Sequence, residues 1–486
     1  YTDLSDRDPS YQGGFIWDFV DQSLRRLNRH GVEFQAYGGD FGDRPTDWNF
    51  CGNGIVTGDR CLSPKIQEVK CNDRGLQIQV EPAQGTIRNK YLFSRTSSFD
   101  CRVSLLRDGT LVALGSDVPY IILTTDVAPL GEETYALPVS QIAEPGEYVV
   151  TVSFHLRSAT IWAEAGHEIA FGQGVYRIAA PVQPVQHPES PVQVIDGTFN
   201  IGVRGSTFEA LFSRNDGGLT SYKVAGREYV EAIPKPNFWR APTDNDRGNQ
   251  MMARYAQWKV ASLYALHRPL DVRPEEALKL VNPKVDVQAD LVDITYTYYL
   301  PTTPAATCDV RYRVHSDGVI TVRQTYVPVA GLPDMPEFGW MLKASAKLDQ
   351  VEWYGLGPAE TYWDRQKGGK LGVWRNQVTD NLAKYLVPQE TGNKTGVRYA
   401  QVTDRQGHGL RFCGDNLNFS ALPYTPHELE NAQHAYELPA YNQTVIRVSL
   451  QQLGVAGDDS WGARTHPEYQ IDVTRPVEFE FSFCAI

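Results

Sequence analysis

Two carboxyl groups that face each other across a site can divide nucleophilic and general acid/base work between them. The chain offers Asp18 with Asp21 and Asp458 with Asp459 as the nearest such pairings in sequence. Neither reads as a facing pair. Along an extended backbone, residues three apart or adjacent point to opposite faces. His427 and His434 have no nucleophile partner at a recognisable spacing, so they read as solvated or core histidines. Asn49-Phe50-Cys51-Gly52-Asn53-Gly54 reads as a tight turn, since its glycines permit positive φ. A carbonyl and an amide oxygen close together in such a turn also suit a hard monovalent cation. Gly52-Asn53-Gly54-Ile55-Val56-Thr57-Gly58 is not a dinucleotide loop, because its last glycine comes one residue late and no helix follows. Trp17 lies near the end of an apolar run and reads on spacing alone as a core aromatic. Trp461 sits in the polar turn Gly457-Asp458-Asp459-Ser460-Trp461-Gly462.

The elements that must position these groups are mostly strands. Gly13 to Val20 is a nearly continuous apolar run of strand length, the form of a strand buried on both faces of a parallel sheet. Ser63-Pro64 starts a helix over Lys65 to Lys70, with Ser63 as N-cap. Residues 1–72 thus read as strand, long loops and one short helix. From 73 to 180 the pattern alternates: Leu76–Val80, Tyr91–Phe93, Cys101–Leu106 and Tyr148–Phe154 read as strands, and Asp108-Gly109 as a hairpin turn. That spacing suits an immunoglobulin-like sandwich. Residues 181–191 hold four prolines and read as a stiff linker. Residues 192–486 read as one large double-sheet region, with Val310–Val314 and Ile320–Tyr326 joined through a turn at Asp317-Gly318.

Composition narrows the function classes. At 486 residues the chain holds two or three domains, and 42% hydrophobic content with 11% aromatics is that of a folded protein. A net charge of -12 argues against nucleic-acid or anionic-membrane partners, which need clustered Lys and Arg. No apolar stretch approaches the roughly 20 residues of a membrane helix. Seven cysteines without a CxxC argue against a disulfide framework or zinc site and favour a reducing cytoplasm. Glycosylation acceptor patterns at Asn393, Asn418 and Asn442 are about what chance gives.

The blocks GGFIWDFVDQ (13–22), YGGDFGD (37–43), FCGNG (50–54) and GDDSW (457–461), in this order and at these separations, resemble lac-type β-galactosidases of glycoside hydrolase family 2. The resemblance covers nearly the whole chain, and it implies a mainly β, multidomain protein. Residues 1–72 would be the end of a TIM (β/α)8 barrel. Residues 73–180 would be the immunoglobulin-like sandwich, and 192–486 a galactose-mutarotase-like super-sandwich. In the family both catalytic carboxylates come earlier than the first block, so no catalytic residue is assigned here and the expected partner is an N-terminal half that carries them. The resemblance implies that Trp17, Asn53 and Trp461 bind the galactoside and that Phe50, through its carbonyl, and Asn53, through its side chain, hold sodium. The sodium site would be incomplete in this chain. The full enzyme would use Mg2+ and Na+, act as an oligomer in the cytoplasm and hydrolyse β-galactosides such as lactose. Thr46 departs from the pattern, since well-known members carry Asn there. Blocks 239–246 and 353–358 also match and read as packing, with Arg240 a candidate for an ion pair with Asp244 or Asp246. The alternative is a non-catalytic sugar-binding or scaffolding protein derived from the family. The apolar Phe15-Ile16-Trp17 run, which lacks evident strand partners, argues against that alternative.

Overall fold

The computed structural model describes residues 2–114, 119–139, 142, 144–179, 191–269, 283–459 and 461–486. Residues 181–190 of the expected linker and Ser460 lie outside the described residues. The architecture is mainly β and divides into two compact units, one of residues 1–15, 67–186 and 367–373, the other of 16–66, 187–366 and 374–486.

The first unit is built around two antiparallel sheets. One runs Glu168–Ile178, Gly146–Leu156, Phe99–Arg107, Thr110–Val112, with Ile121–Leu123 also paired to Phe99–Arg107. The other runs Leu76–Val80, Gln84–Asn89, Glu132–Ala136. Alternate residues of both turn inward, so Leu76, Ile87, Val103, Leu105, Val150 and Phe154 share one core. The Asp108-Gly109 hairpin forms as its residue types predict, with φ of 50° and 80° and Arg107 paired to Thr110. Tyr91–Phe93 is not a strand. The reason is Asn89, a buried side chain that donates to the carbonyls of Ser94, Val127 and Ala128 and accepts from the Tyr91 amide. A side chain that bonds the local backbone in this way replaces the ladder a strand would need.

The second unit pairs a five-stranded sheet with a twelve-stranded one among the described residues. Leu291–Leu300 shows why: Val292, Ile294, Tyr296, Tyr298 and Leu300 are all at most 1% exposed, while the residues between them face outward. Ile201, Val203, Phe208 and Phe212 of the smaller sheet join the same core. Buried indoles find partners: Trp340 donates to the Tyr312 hydroxyl, Trp258 to the Pro333 carbonyl and Trp353 to the Leu356 carbonyl. Beneath them Arg447 bridges Glu337 (2.7 Å) and Glu390 (2.5 Å), all three buried. Burial pushes the Glu337 carboxyl up against the opposing pull of Arg447. Asn393 and Asn418 are buried and bonded to each other at 3.0 Å, which removes both from any glycosylation machinery.

Residues 16–66 of this unit are organised differently. The stretch up to Val20 forms no strand; its sheet-like pairing is a parallel bridge from Val20 to Val56. A buried parallel strand needs a hydrogen-bonded neighbour on each side. Here a single neighbour is present: Asn53 accepts from Asp18, and Ile55 and Val56 donate back to Asp18 and Phe19. Ile16, Trp17 and Phe19 are therefore exposed rather than buried. The helix over Lys65–Asp73 forms, but Ser63 does not cap it, because its hydroxyl donates to the Ile55 carbonyl instead.

Candidate functional site

Three segments far apart in sequence meet around the Asn49–Gly54 turn. The turn is a 3-10 helix, Trp48–Cys51, closed by the Gly52 amide donating to the Asn49 carbonyl at 2.8 Å. Gly54 lies against the backbone of the preceding segment, where a Cβ would stand 2.1 Å from the Asp21 nitrogen, so no side chain fits. Its amide donates to Asp21 Oδ1 at 2.7 Å. Burial pushes the Asp21 carboxyl up, and the Gly54 amide partly offsets this. Lys65 is pushed down by burial, with Asp21 opposing. Asp18 is likewise committed, accepting from the Phe19 amide and the Gln22 side chain.

The turn is fastened from outside. Asn49 Nδ2 donates to Asp244 Oδ1 at 2.7 Å, and Gln389 Nε2 donates to the other oxygen at 3.0 Å. Asp244 opens a short helix, Asp244–Gly248, started by a capping box between Thr243 and Asp246. Arg240 pairs with Asp246 at 2.5 Å, both buried, and also donates to the carbonyls of Leu453 and Gly454. Of the two partners open to Arg240, Asp246 takes the ion pair and Asp244 holds the turn. From the same helix Asn245 Nδ2 donates to the Asp459 carbonyl at 2.9 Å. Asp459 Oδ1 in turn accepts from the amides of Trp461 and Ala463 at 2.8 and 3.0 Å, which shapes the loop that presents Trp461.

This clasp brings two of the expected residues together. The rings of Phe50 and Trp461 stack at 6.3 Å between centroids and 23° between planes, 411 positions apart in sequence, while both stay largely exposed. Asn53 lies in the same turn, and its side-chain Oδ1 is buried with no hydrogen-bond donor among the described residues. A buried acceptor without a donor is rare, and an oxygen of this kind is what a hard cation requires of a ligand. Trp17 is 76% exposed, one residue before Asp18, whose amide donates to the Asn53 carbonyl. No ring contact joins Trp17 to Phe50 or Trp461 among the described residues.

A second fastening holds the 37–43 block. The Tyr37 ring stacks on His434 at 4.7 Å, and the Tyr37 hydroxyl donates to the Gln433 carbonyl at 2.8 Å. His434 lies between two carboxylates, Asp40 at 3.0 Å and Glu437 at 3.1 Å. Asp458 meets His466 at 3.0 Å, so the adjacent Asp458 and Asp459 have separate partners. Thr46 packs beside Gly38, and its hydroxyl accepts from the Trp48 amide at 3.2 Å. Sequence reasoning missed Asn49, Asp244, Asn245, Gln389 and Asp459 as positioning groups. The available signal was the block at 239–246, whose polar residues exceed what packing requires.

Three family models match the chain: "Beta galactosidase small chain" over residues 204–484, "Beta-galactosidase, domain 4" over 86–176, and "Glycosyl hydrolases family 2, TIM barrel domain" over 1–78. The chain is 41% identical to a β-galactosidase of Halalkalibacterium halodurans, across 99% of this chain and 46% of that protein. It is 38% identical to a β-galactosidase of Priestia megaterium, across 99% of this chain and 45% of that one. The chain thus spans less than half the length of the curated relatives it matches. Among solved structures, a galactose mutarotase related enzyme from Lactobacillus acidophilus aligns with 61% of this chain and 97% of that one, at 10% identity. The TM-score of that alignment is 0.31.

Proposed function

The chain belongs to the β-galactosidase small-chain family of glycoside hydrolase family 2, and on that premise we propose that it is a portion of a retaining β-galactosidase acting on terminal β-galactosides such as lactose. The single observation that carries the reading is the meeting of Phe50 with Trp461 beside the orphaned Asn53 oxygen. An exposed indole offers a flat apolar face to the C–H side of a galactose, and polar neighbours are left to read its hydroxyls. Trp461 would supply one such wall and Trp17 another. The Phe50 carbonyl and the Asn53 side chain would hold sodium, which supplies a fixed positive charge for the sugar's hydroxyl oxygens. Stacking orients the substrate and breaks no bond.

Bond cleavage needs the paired carboxylates. Asp18 and Asp21 are tied to backbone amides, so this reading assigns both catalytic groups to an N-terminal half carried by a partner segment. Magnesium enters through the family resemblance alone, as do an oligomeric full enzyme and, with the thin spread of seven cysteines, a cytoplasmic setting.

The test is complementation. The chain is mixed with the N-terminal portion of the Halalkalibacterium halodurans β-galactosidase that precedes the matched region. Release of nitrophenol from a β-galactoside by the mixture, and by neither part alone, is the expected result. A stable complex without hydrolysis, alongside lactose binding by the chain alone, would favour the sugar-binding alternative.

A further inference from the structure

Behind the loop that carries Trp461, the second unit holds a cavity of about 320 Å3, within the ~300–1,000 Å3 of small-molecule sites. Its polar lining includes Asn249, Arg254, Tyr255, Asp334, Arg464 and Gln470. Arg464 has no hydrogen-bond or ion-pair partner among the described residues. Arg254 is fixed in place: it donates to the Asn249 carbonyl at 3.1 Å and side chain at 2.5 Å, and its guanidinium lies 4.6 Å over the Tyr255 ring. Asp334 accepts the Tyr255 hydroxyl on Oδ2 at 3.1 Å. Asp246 also borders the cavity, but Arg240 already neutralises it at 2.5 Å.

The donors and acceptors of the lining select the ligand. Arg254 and Arg464 offer guanidinium donors, and Asp334 offers a carboxylate acceptor. A neutral polyol satisfies both, because each hydroxyl donates one hydrogen bond and accepts others. Leu332 and Leu453 complete the wall with apolar surface suited to sugar C–H groups. We propose that this cavity binds a neutral saccharide of one or two hexose units, with Asp334 accepting from its hydroxyls and Arg464 and Arg254 donating to them. The assignment is independent of the role given above to Trp461. Thr465, beside Arg464, closes the base of the Trp461 loop by donating to the Gly454 carbonyl at 2.9 Å, so the cavity and that loop share a frame.

The experiment titrates the full chain with lactose by saturation-transfer NMR, with inorganic phosphate as a second probe. Lactose should bind the unaltered chain. With the exposed indole removed by Trp461→Leu, lactose should still bind, and in that background Arg464→Ala and Asp334→Asn should each weaken binding at least tenfold at an unchanged melting temperature. Arg464 is exposed, so its replacement tests the contact and not the fold. Binding lost in Trp461→Leu but kept in Arg464→Ala would put the sugar on the exposed aromatic surface and overturn the assignment. So would no lactose binding at all, or phosphate binding abolished by Arg464→Ala in its place.

Discussion

Residues 16–66 and the large double-sheet region share one compact unit, yet opposite forces hold them. In the double-sheet region alternate strand residues are sealed in one core, and its ionic groups are paired inside it, as with Arg447, Glu337 and Glu390. In residues 16–66 the apolar side chains of Ile16, Trp17, Phe19 and Phe50 are exposed, and shape comes from polar fasteners such as Asn49 to Asp244 and His434 to Asp40. Each fully buried large side chain in the first region is worth about 1.5–3 kcal/mol. A typical hydrogen bond of the second contributes about 0.5–1.5 kcal/mol. The difference teaches where binding surface can be kept: aromatic rings stay available only where something other than their own burial fixes the backbone.

The comparison breaks first if the buried triad is dispensable. Arg447→Met should cost about 3–5 kcal/mol, because it strands two carboxylates in the core. Denaturant unfolding checks this, and a loss below about 1 kcal/mol would mean the triad contributes little.

His427 sharpens the contrast through pH. Among the described residues both its ring nitrogens lack partners, and burial, aided by Lys259, pushes the imidazole down to about 4 from 6.5. A base whose folded pKa is depressed stabilises fully above the unfolded value and loses that stability as pH falls through the window. Stability should therefore drop by on the order of 2–3 kcal/mol between about pH 6.5 and 4. Melting temperatures across that range should show a shallower fall in His427→Leu.

The fasteners should act locally. Asn49→Ala should loosen the 48–53 turn by about 1.5 kcal/mol, that being the scale of a hydrogen bond to a charged group. Amide hydrogen exchange at Gly52 should rise roughly tenfold while the global unfolding midpoint stays put. A shift of the whole transition would show the two regions to be one cooperative body. The smallest effect belongs to Trp461→Leu, which should change stability by less than about 0.5 kcal/mol and lower galactoside affinity in the complemented enzyme. A large stability loss would make Trp461 a packing residue.

Much of the fold was legible because a strand's face is written two residues at a time. Leu76–Val80, Gly146–Leu156 and Ile320–Tyr326 alternate as a half-buried sheet requires, and Asp108-Gly109 turns where its residue types allow. Two of the readings that failed did so for reasons that lie outside the pattern. Tyr91–Phe93 has strand composition, but the Asn89 side chain takes the local backbone bonds. Gly13–Val20 has the composition of a buried strand, and composition records a demand for burial without naming the neighbour that meets it.

At the candidate site the four blocks were visible as separate words. The chain by itself determined their residue types: an oxygen-rich turn, an exposed indole in an acidic loop, and glycines where the backbone passes closest. Only the tertiary structure decided that Phe50 faces Trp461, that Asp244 and not Asp246 holds Asn49, and that the Asn53 oxygen is left without a donor. The reason is physical. Backbone conformation and side-chain alternation are fixed by neighbours within a few positions. A contact such as Asn49 with Asp244 depends on where two sheets have carried the chain, and no local preference encodes that position.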